Sequence, residues 1–124
     1  MRKSINSIEI RRIILTESKR ADVGHIASAL SITDIITVLF KKILNLPGTQ
    51  NMERDRFILS KGHAALALYA ALFFKGIIAR KELSTYCSDG SLLGVHPENQ
   101  LKGIDFSSGS LGHGLSIGVG VALG

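Results

Sequence analysis

Apolar residues recur among charges at Ile5, Ile8, Ile14 and Leu15, a spacing that predicts an amphipathic helix over residues 3–20. The segment Arg20-Ala-Asp-Val-Gly-His25 interrupts it. Ser31-Ile-Thr-Asp34 has the form of a capping box and predicts a helix to about Leu44, ended by Leu46-Pro47-Gly48. A polar loop leads to Arg54-Asp55-Arg56, and Phe57-Ile58-Leu59-Ser60 then reads as a short buried strand stopped by Lys61-Gly62-His63. Ala64 to Lys75 predicts a helix with Gly76 at its C-cap, and Arg80 to Tyr86 a shorter one. Residues 88–114 have no periodicity and are rich in Gly, Ser and Asp; a loop of that length is usually functional or disordered. A glycine-spaced apolar helix is predicted from Leu115.

That last segment, Ser116-Ile-Gly-Val-Gly-Val-Ala-Leu-Gly124, is apolar or small on every face, which predicts an interior helix. Natural termini are normally exposed, so the pattern predicts that residues 1–124 are the first portion of a larger domain.

Composition narrows the class. A chain of 124 residues is one domain at most, and 45% hydrophobic against 20% charged residues suits a packed core. No apolar run reaches the ~18 residues of a membrane span, and the N-terminus lacks the apolar core of a secretory signal. The lone cysteine, Cys87, excludes an internal disulfide and fits a reducing, cytoplasmic setting. The net charge of +5 sits mostly in residues 1–20, where Arg2, Lys3, Arg11, Arg12, Lys19 and Arg20 face only Glu9 and Glu17. A nucleic-acid or lipid surface is one reading of that stretch, and a solvated helix face is the other. No aromatic side chain lies among the basic residues to stack on bases, and no zinc-finger or RNA-recognition pattern is present, so neither nucleic acid nor membrane is expected as a partner.

The candidate chemistry lies in four histidines. None is paired at metal-ligand spacing, the nearest being His96 and His113, so no metal site is expected within the chain. Each sits beside a glycine or proline in a turn: Gly24-His25, Gly62-His63, Val95-His96-Pro97 and Gly112-His113-Gly114. Loops at element ends are where binding groups lie. His63 opens a predicted helix, whose positive dipole end disfavours imidazolium; a neutral imidazole there donates a hydrogen bond to a phosphate or substrate oxygen. The run Gly109-Ser-Leu-Gly112-His-Gly114 fails the dinucleotide-loop spacing, since Ile117 stands where the third glycine belongs. No Gly-Lys-Ser/Thr exists, which excludes a Walker loop. The glycines at 114, 118, 120 and 124 instead fall in pairs one helical turn apart, baring a face for close approach of another element or a ligand.

Taken in order, these turns resemble the N-terminal half of transketolase, most of all the form split into two subunits. The resemblance is carried by Gly24-His25-Ile-Ala-Ser-Ala-Leu-Ser, by Arg54-Asp-Arg-Phe-Ile-Leu-Ser-Lys-Gly-His63, by His96-Pro97-Glu98 and by Ser108-Gly109-Ser-Leu-Gly-His-Gly114. It implies an α/β thiamine-diphosphate-binding fold, a parallel sheet with helices on both faces, mostly helical in this portion. It implies a complete enzyme that moves a two-carbon ketol unit between phosphorylated sugars, with the cofactor carrying the bond chemistry. It places His63 near the diphosphate and the reacting centre, His96 on the hydroxyl of the two-carbon unit, and His25 on the substrate side, where it assists proton transfer. Gly109 and Leu111 would meet the aminopyrimidine ring. The family also uses magnesium, but Ser88-Asp89-Gly90 precedes the Gly109 loop, where the family's metal motif follows it; Asp89 is read as a turn residue and the metal ligands are expected outside this chain. Ile26 and His113 depart from the family's common proline and glutamine, and His113 is given no catalytic role. The implied partners are a second copy, in a homodimer, or a C-terminal transketolase subunit, in a heterotetramer. The alternatives are a relative such as a deoxyxylulose-phosphate synthase or the decarboxylase component of a dehydrogenase, and a non-catalytic basic binding module.

Overall fold

The computed structural model describes residues 4–124, so the expectations for Arg2 and Lys3 lie outside the described residues. Among the described residues six α-helices form: α1 (Ser7–Ala21), α2 (Ile26–Ser31), α3 (Thr33–Val38), α4 (Ala65–Phe74), α5 (Arg80–Leu83) and α6 (His113–Leu123). A π-helical turn, Leu39–Ile43, prolongs α3, and a 3₁₀ turn, Gly62–Ala64, leads into α4.

Helix α4 is the axis of the molecule. Every residue from Ala64 to Leu72 is buried. Four of the helical ones are alanines, and such small side chains let α1, α2, α3 and α5 pack directly on it. It closes with Gly76 in the left-handed region (φ 71°). The Gly76 and Ile77 amides donate to Phe73 and Leu72 carbonyls at 2.9 Å each, the paired bonds that glycine permits at a helix end.

Helix α1 starts where Asn6 Oδ1 accepts the Glu9 amide at 2.9 Å. Its core face presents Ile10, Ile13 and Ile14. The same face buries Glu17, a carboxylate held by Arg20 (2.9 Å) and by Arg80 of α5 (3.4 Å). Arg20 also donates to the Tyr86 carbonyl at 2.7 Å, so one basic pair fastens the first helix to the turn after α5. Two other cations of the basic stretch are similarly engaged: Arg11 pairs with Asp34 and Arg12 with Glu9.

Four expectations are corrected. Ser31-x-x-Asp34 does not form a capping box: the Ser31 hydroxyl donates to Ser28 O and Asp34 is taken by Arg11, so the helix expected to about Leu44 forms as α3 and its π-helical continuation to Ile43 without a side-chain cap. Residues 57–60 do not form a strand, and no strand occurs among the described residues. The neighbouring loop supplies the partners that a strand would supply, with Asp105 accepting the Phe57 amide and Ser108 Oγ donating to the Leu59 carbonyl at 2.6 Å. Helix α5 stops at Leu83 because Ser84 and Thr85 hydroxyls bond back to the carbonyls of Lys81 and Glu82. Helix α6 begins at His113 rather than Leu115; within these residues only its Gly114 is buried, while Leu115 is 77% and Leu123 84% exposed.

Candidate active site

Three loops are laced together above the N-terminal end of α4. In the first, Ser60 to His63, the Gly62 position lies so close to Ser108 that a Cβ would stand 2.6 Å from its carbonyl oxygen. In the second, the Pro97 carbonyl accepts the Ser108 amide at 3.2 Å. The third, Ser108 to Gly114, returns to the first: the Gly114 amide donates to Ser60 Oγ at 3.1 Å, and a Cβ on Gly114 would stand 2.5 Å from Ser60 Cβ. Glycine at 62 and 114 is therefore a requirement of approach between main chains. Of the glycines spaced along α6, Gly114 makes that approach, a Cβ on Gly118 would sit 3.9 Å from Ile58 Cδ1, and Gly120 and Gly124 face open space.

The histidines follow from this lacing. His25, exposed, takes a left-handed conformation (φ 62°) as the residue that starts α2, an unusual setting for a non-glycine residue. Its ring lies 5.0 Å from that of His63, centroid to centroid, tilted by 54°. His63 is half-buried in the 3₁₀ turn. Loss of solvent holds its proton affinity below the ordinary imidazole value, and the nearby bases His25, Lys61 and His96 push it the same way. The neutral imidazole expected from the sequence thus has a different cause: burial first and like charges second. His96 is exposed, with its carbonyl anchored at 3.1 Å by the buried Tyr69 hydroxyl, which also reaches the Gly94 carbonyl at 3.1 Å. A Cβ on Gly109 would sit 3.8 Å from His96 Cδ2, so bare main chain runs past that ring.

His25, His63, His96 and Gly109 are therefore gathered at one place. Leu111 stands in solvent, 72% exposed, on the turn before α6. His113 is the exposed first residue of α6. Asp89 lies in the turn that ends at Gly90 (φ 74°) and is exposed there.

Sequence reading missed Tyr69, Ser60, Ser108 and Lys61, whose ammonium donates to Ser28 O (3.2 Å) and Ser31 Oγ (2.8 Å). It also gave Asp105 no role. That carboxylate receives both terminal guanidinium nitrogens of Arg54, with side-chain exposures of only 9% and 13%. Tyr69 sits in an unbroken apolar run and carries no polar signal of its own. Ser60 and Lys61 lie inside the motif, and their partners are distant in sequence. A cavity of about 270 Å³ lies elsewhere, between Phe40, Phe57, Leu72 and Lys102, and none of the four histidines lines it.

The cluster fits part of a cofactor site. The imidazoles of His25, His63 and His96 converge on a surface where side-chain-free main chain allows a flat ring to approach. Among the described residues no group of three or more His, Cys, Asp or Glu is placed to hold a metal ion. No helix among the described residues is long and apolar enough to cross a membrane.

Residues 2–124 match the family model described as transketolase, thiamine diphosphate binding domain. The chain is 42% identical over 106 residues to one of the subunits of the apulose-4-phosphate transketolase of Phocaeicola vulgatus, covering 84% of this chain and 38% of that protein. It is 40% identical over 119 residues to the 6-deoxy-6-sulfo-D-fructose transketolase subunit SqwG of a Clostridium species, covering 92% of this chain and 42% of that one. It is 33% identical over 119 residues to the transketolase of Rhodobacter capsulatus, covering 92% of this chain and 18% of that enzyme. The chain thus spans well under half the length of these relatives. With the histidine turns arranged as described and the match running over nearly the whole chain, the chain belongs to the family of the transketolase thiamine diphosphate binding domain.

Proposed function

We propose that this chain is the N-terminal part of the cofactor domain of a transketolase that moves a two-carbon ketol unit between phosphorylated sugars. The observation that carries the reading is the convergence of His25 and His63, 5.0 Å apart, with His96 and the bare main chain at Gly109. When bound, thiamine diphosphate supplies the carbon nucleophile that breaks and remakes the bond to the two-carbon unit.

The chain's own residues bind and orient. His63, kept neutral by its surroundings, donates a hydrogen bond toward the diphosphate without adding a charge that must itself be desolvated. His96 presents its ring to the hydroxyl of the two-carbon unit, on a turn that Tyr69 keeps rigid. His25, the more exposed of the two neighbouring rings, moves a proton on the substrate side. Gly109 offers main chain, and Leu111 an apolar side chain, to the aminopyrimidine. The parallel sheet of the α/β fold belongs to the complete domain. Magnesium is assigned no ligand in this chain, and no step here runs through it.

The names of the relatives support a partner. Two of them are named as single subunits of transketolases, which favours assembly with a second, C-terminal type of subunit, together with another copy. A cytoplasmic enzyme with Cys87 as a free thiol is consistent with this. The test is turnover of a ketose phosphate by the complete assembly containing this chain. His63→Asn and His96→Ala are each expected to lower kcat/KM by about 100-fold or more. Turnover unchanged in both variants overturns the reading.

A further inference from the structure

Helix α2 has one residue in the core. Of Ile26–Ser31 only Ala29 is buried, and the helix is six residues long, too short to hold itself by backbone bonds. Yet its first flanking residue is His25, whose ring must stay beside that of His63. Ile26 and Leu30 add half-buried packing against the core, and a polar contact at the other end of the helix completes its hold.

That contact comes from the motif loop. Lys61 directs its ammonium to the far end of α2, donating to the Ser28 carbonyl at 3.2 Å and to the Ser31 hydroxyl at 2.8 Å. The Ser31 hydroxyl donates in turn to the same Ser28 carbonyl at 2.9 Å, closing a three-membered network. The last carbonyls of a helix lack intrahelical donors and carry the negative end of its dipole, so a cation is favoured there. Lys61 and His63 are separated only by Gly62, which is locked against Ser108. The loop that carries one imidazole therefore also grips the helix that begins at the other.

We propose that Lys61 is a positioning residue, which ties α2 to the Ser60–His63 loop and thereby fixes the spacing of the His25 and His63 rings. The functional weight of that spacing rests on the reading above, in which the pair faces cofactor and substrate; the tether itself does not. Lys61 also keeps a positive charge beside His63, and its charge lowers the proton affinity of that imidazole in the same direction as burial. The remaining loop, Ser108 to Gly114, brings His113 as its one titratable group. Loss of the Lys61 charge removes one of the influences that hold His63 neutral.

The experiment is nuclear magnetic resonance on the full 124-residue chain, without cofactor. In Lys61→Met, amide exchange in α2 is expected to accelerate about tenfold, the loss of a bond to a charged donor. The His25–His63 ring contact is expected to weaken, and the His63 titration to move toward the ordinary imidazole value. Exchange in α1 and α4 is expected to stay unchanged, and Lys61→Arg is expected to restore all three readouts. Should Lys61→Met fail to fold, Ser31→Ala removes the hydroxyl end of the tether alone, and faster α2 exchange is expected there too. Unchanged α2 exchange in the folded variant overturns the proposal, as does failure of Lys61→Arg to rescue it. No readout uses thiamine diphosphate, so an intact tether with no cofactor response would reject the proposed function and leave the tether standing.

Discussion

Gly114 lies so close to Ser60 that its amide bonds the Ser60 hydroxyl at 3.1 Å and leaves no room for a Cβ, which would stand 2.8 Å from Ser60 Cα. This single approach brings the start of α6 onto the loop that carries His63, joining two sequence motifs more than fifty residues apart into one surface.

The contact predicts a contrast along one helix. Gly114→Ala forces the two main chains apart and is expected to destabilise the chain by about 2 kcal/mol. Gly120→Ala, in the same helix but with nothing within 4 Å, is expected to stabilise it by up to about 1 kcal/mol, because alanine favours helix over glycine. Urea denaturation of the two variants checks the pair of signs.

A second prediction concerns the His96 turn. The buried Tyr69 hydroxyl spans the carbonyls of Gly94 and His96 at 3.1 Å each. Tyr69→Phe keeps the ring packing and strips the turn of that anchor, at an expected cost of about 1 kcal/mol. Faster amide exchange confined to residues 94–98, with α4 unchanged, is the accompanying signature.

The Arg54–Asp105 pair ties the approach to Phe57 against the loop before Ser108, and both side chains are largely buried. Its carboxylate raises the already high pKa of the guanidinium. Asp105→Asn leaves a mostly desolvated cation without its counter-charge and is expected to cost about 3 kcal/mol. Arg54→Lys keeps the charge but loses the two-pronged geometry, and is expected to fall between that variant and the parent in thermal denaturation.

His63 predicts the pH response. Its folded-state pKa lies below the ordinary 6.5, so near that pH the unfolded chain binds more protons than the folded one. Stability is then expected to fall as pH drops from about 7 through 6.5 toward the lower folded value, and to recover on return. His63→Gln is expected to flatten this slope, measured as the denaturation midpoint across the range.

Much of this was legible in the sequence where local physics decides. The alanine- and leucine-rich run before Gly76 gives α4 its burial and its end, and the glycine and proline neighbours of His25, His63 and His96 place all three on turns. Gly114 was also legible as a point of close approach. What was not legible depends on partners far away in the chain. Residues 57–60 have the apolar content of a strand but spend their backbone groups on Asp105 and Ser108. The Ser31–Asp34 cap dissolves because Arg11 and Ser28 compete for its side chains. Helix α6 reads as apolar on every face from its composition, and within these residues Leu115, Val119 and Leu123 meet solvent, because a residue type states a preference for cover without supplying it. The lacing of the Ser60–His63 loop to the Ser108–Gly114 loop is likewise a product of contacts over forty or more positions, such as Leu59 with Ser108.

The central claim is that the histidine turns and the main chain at Gly109 form one wall of a thiamine diphosphate site. Its most direct measurement is a titration of the chain with thiamine diphosphate, following ring signals of the histidines and backbone amides by nuclear magnetic resonance. The account predicts weak binding, with saturation well above the micromolar range, and shifts concentrated at His25, His63, His96 and Gly109. Shifts absent there while appearing at the cavity beside Phe40 and Lys102, or no shifts at any cofactor concentration, would contradict it.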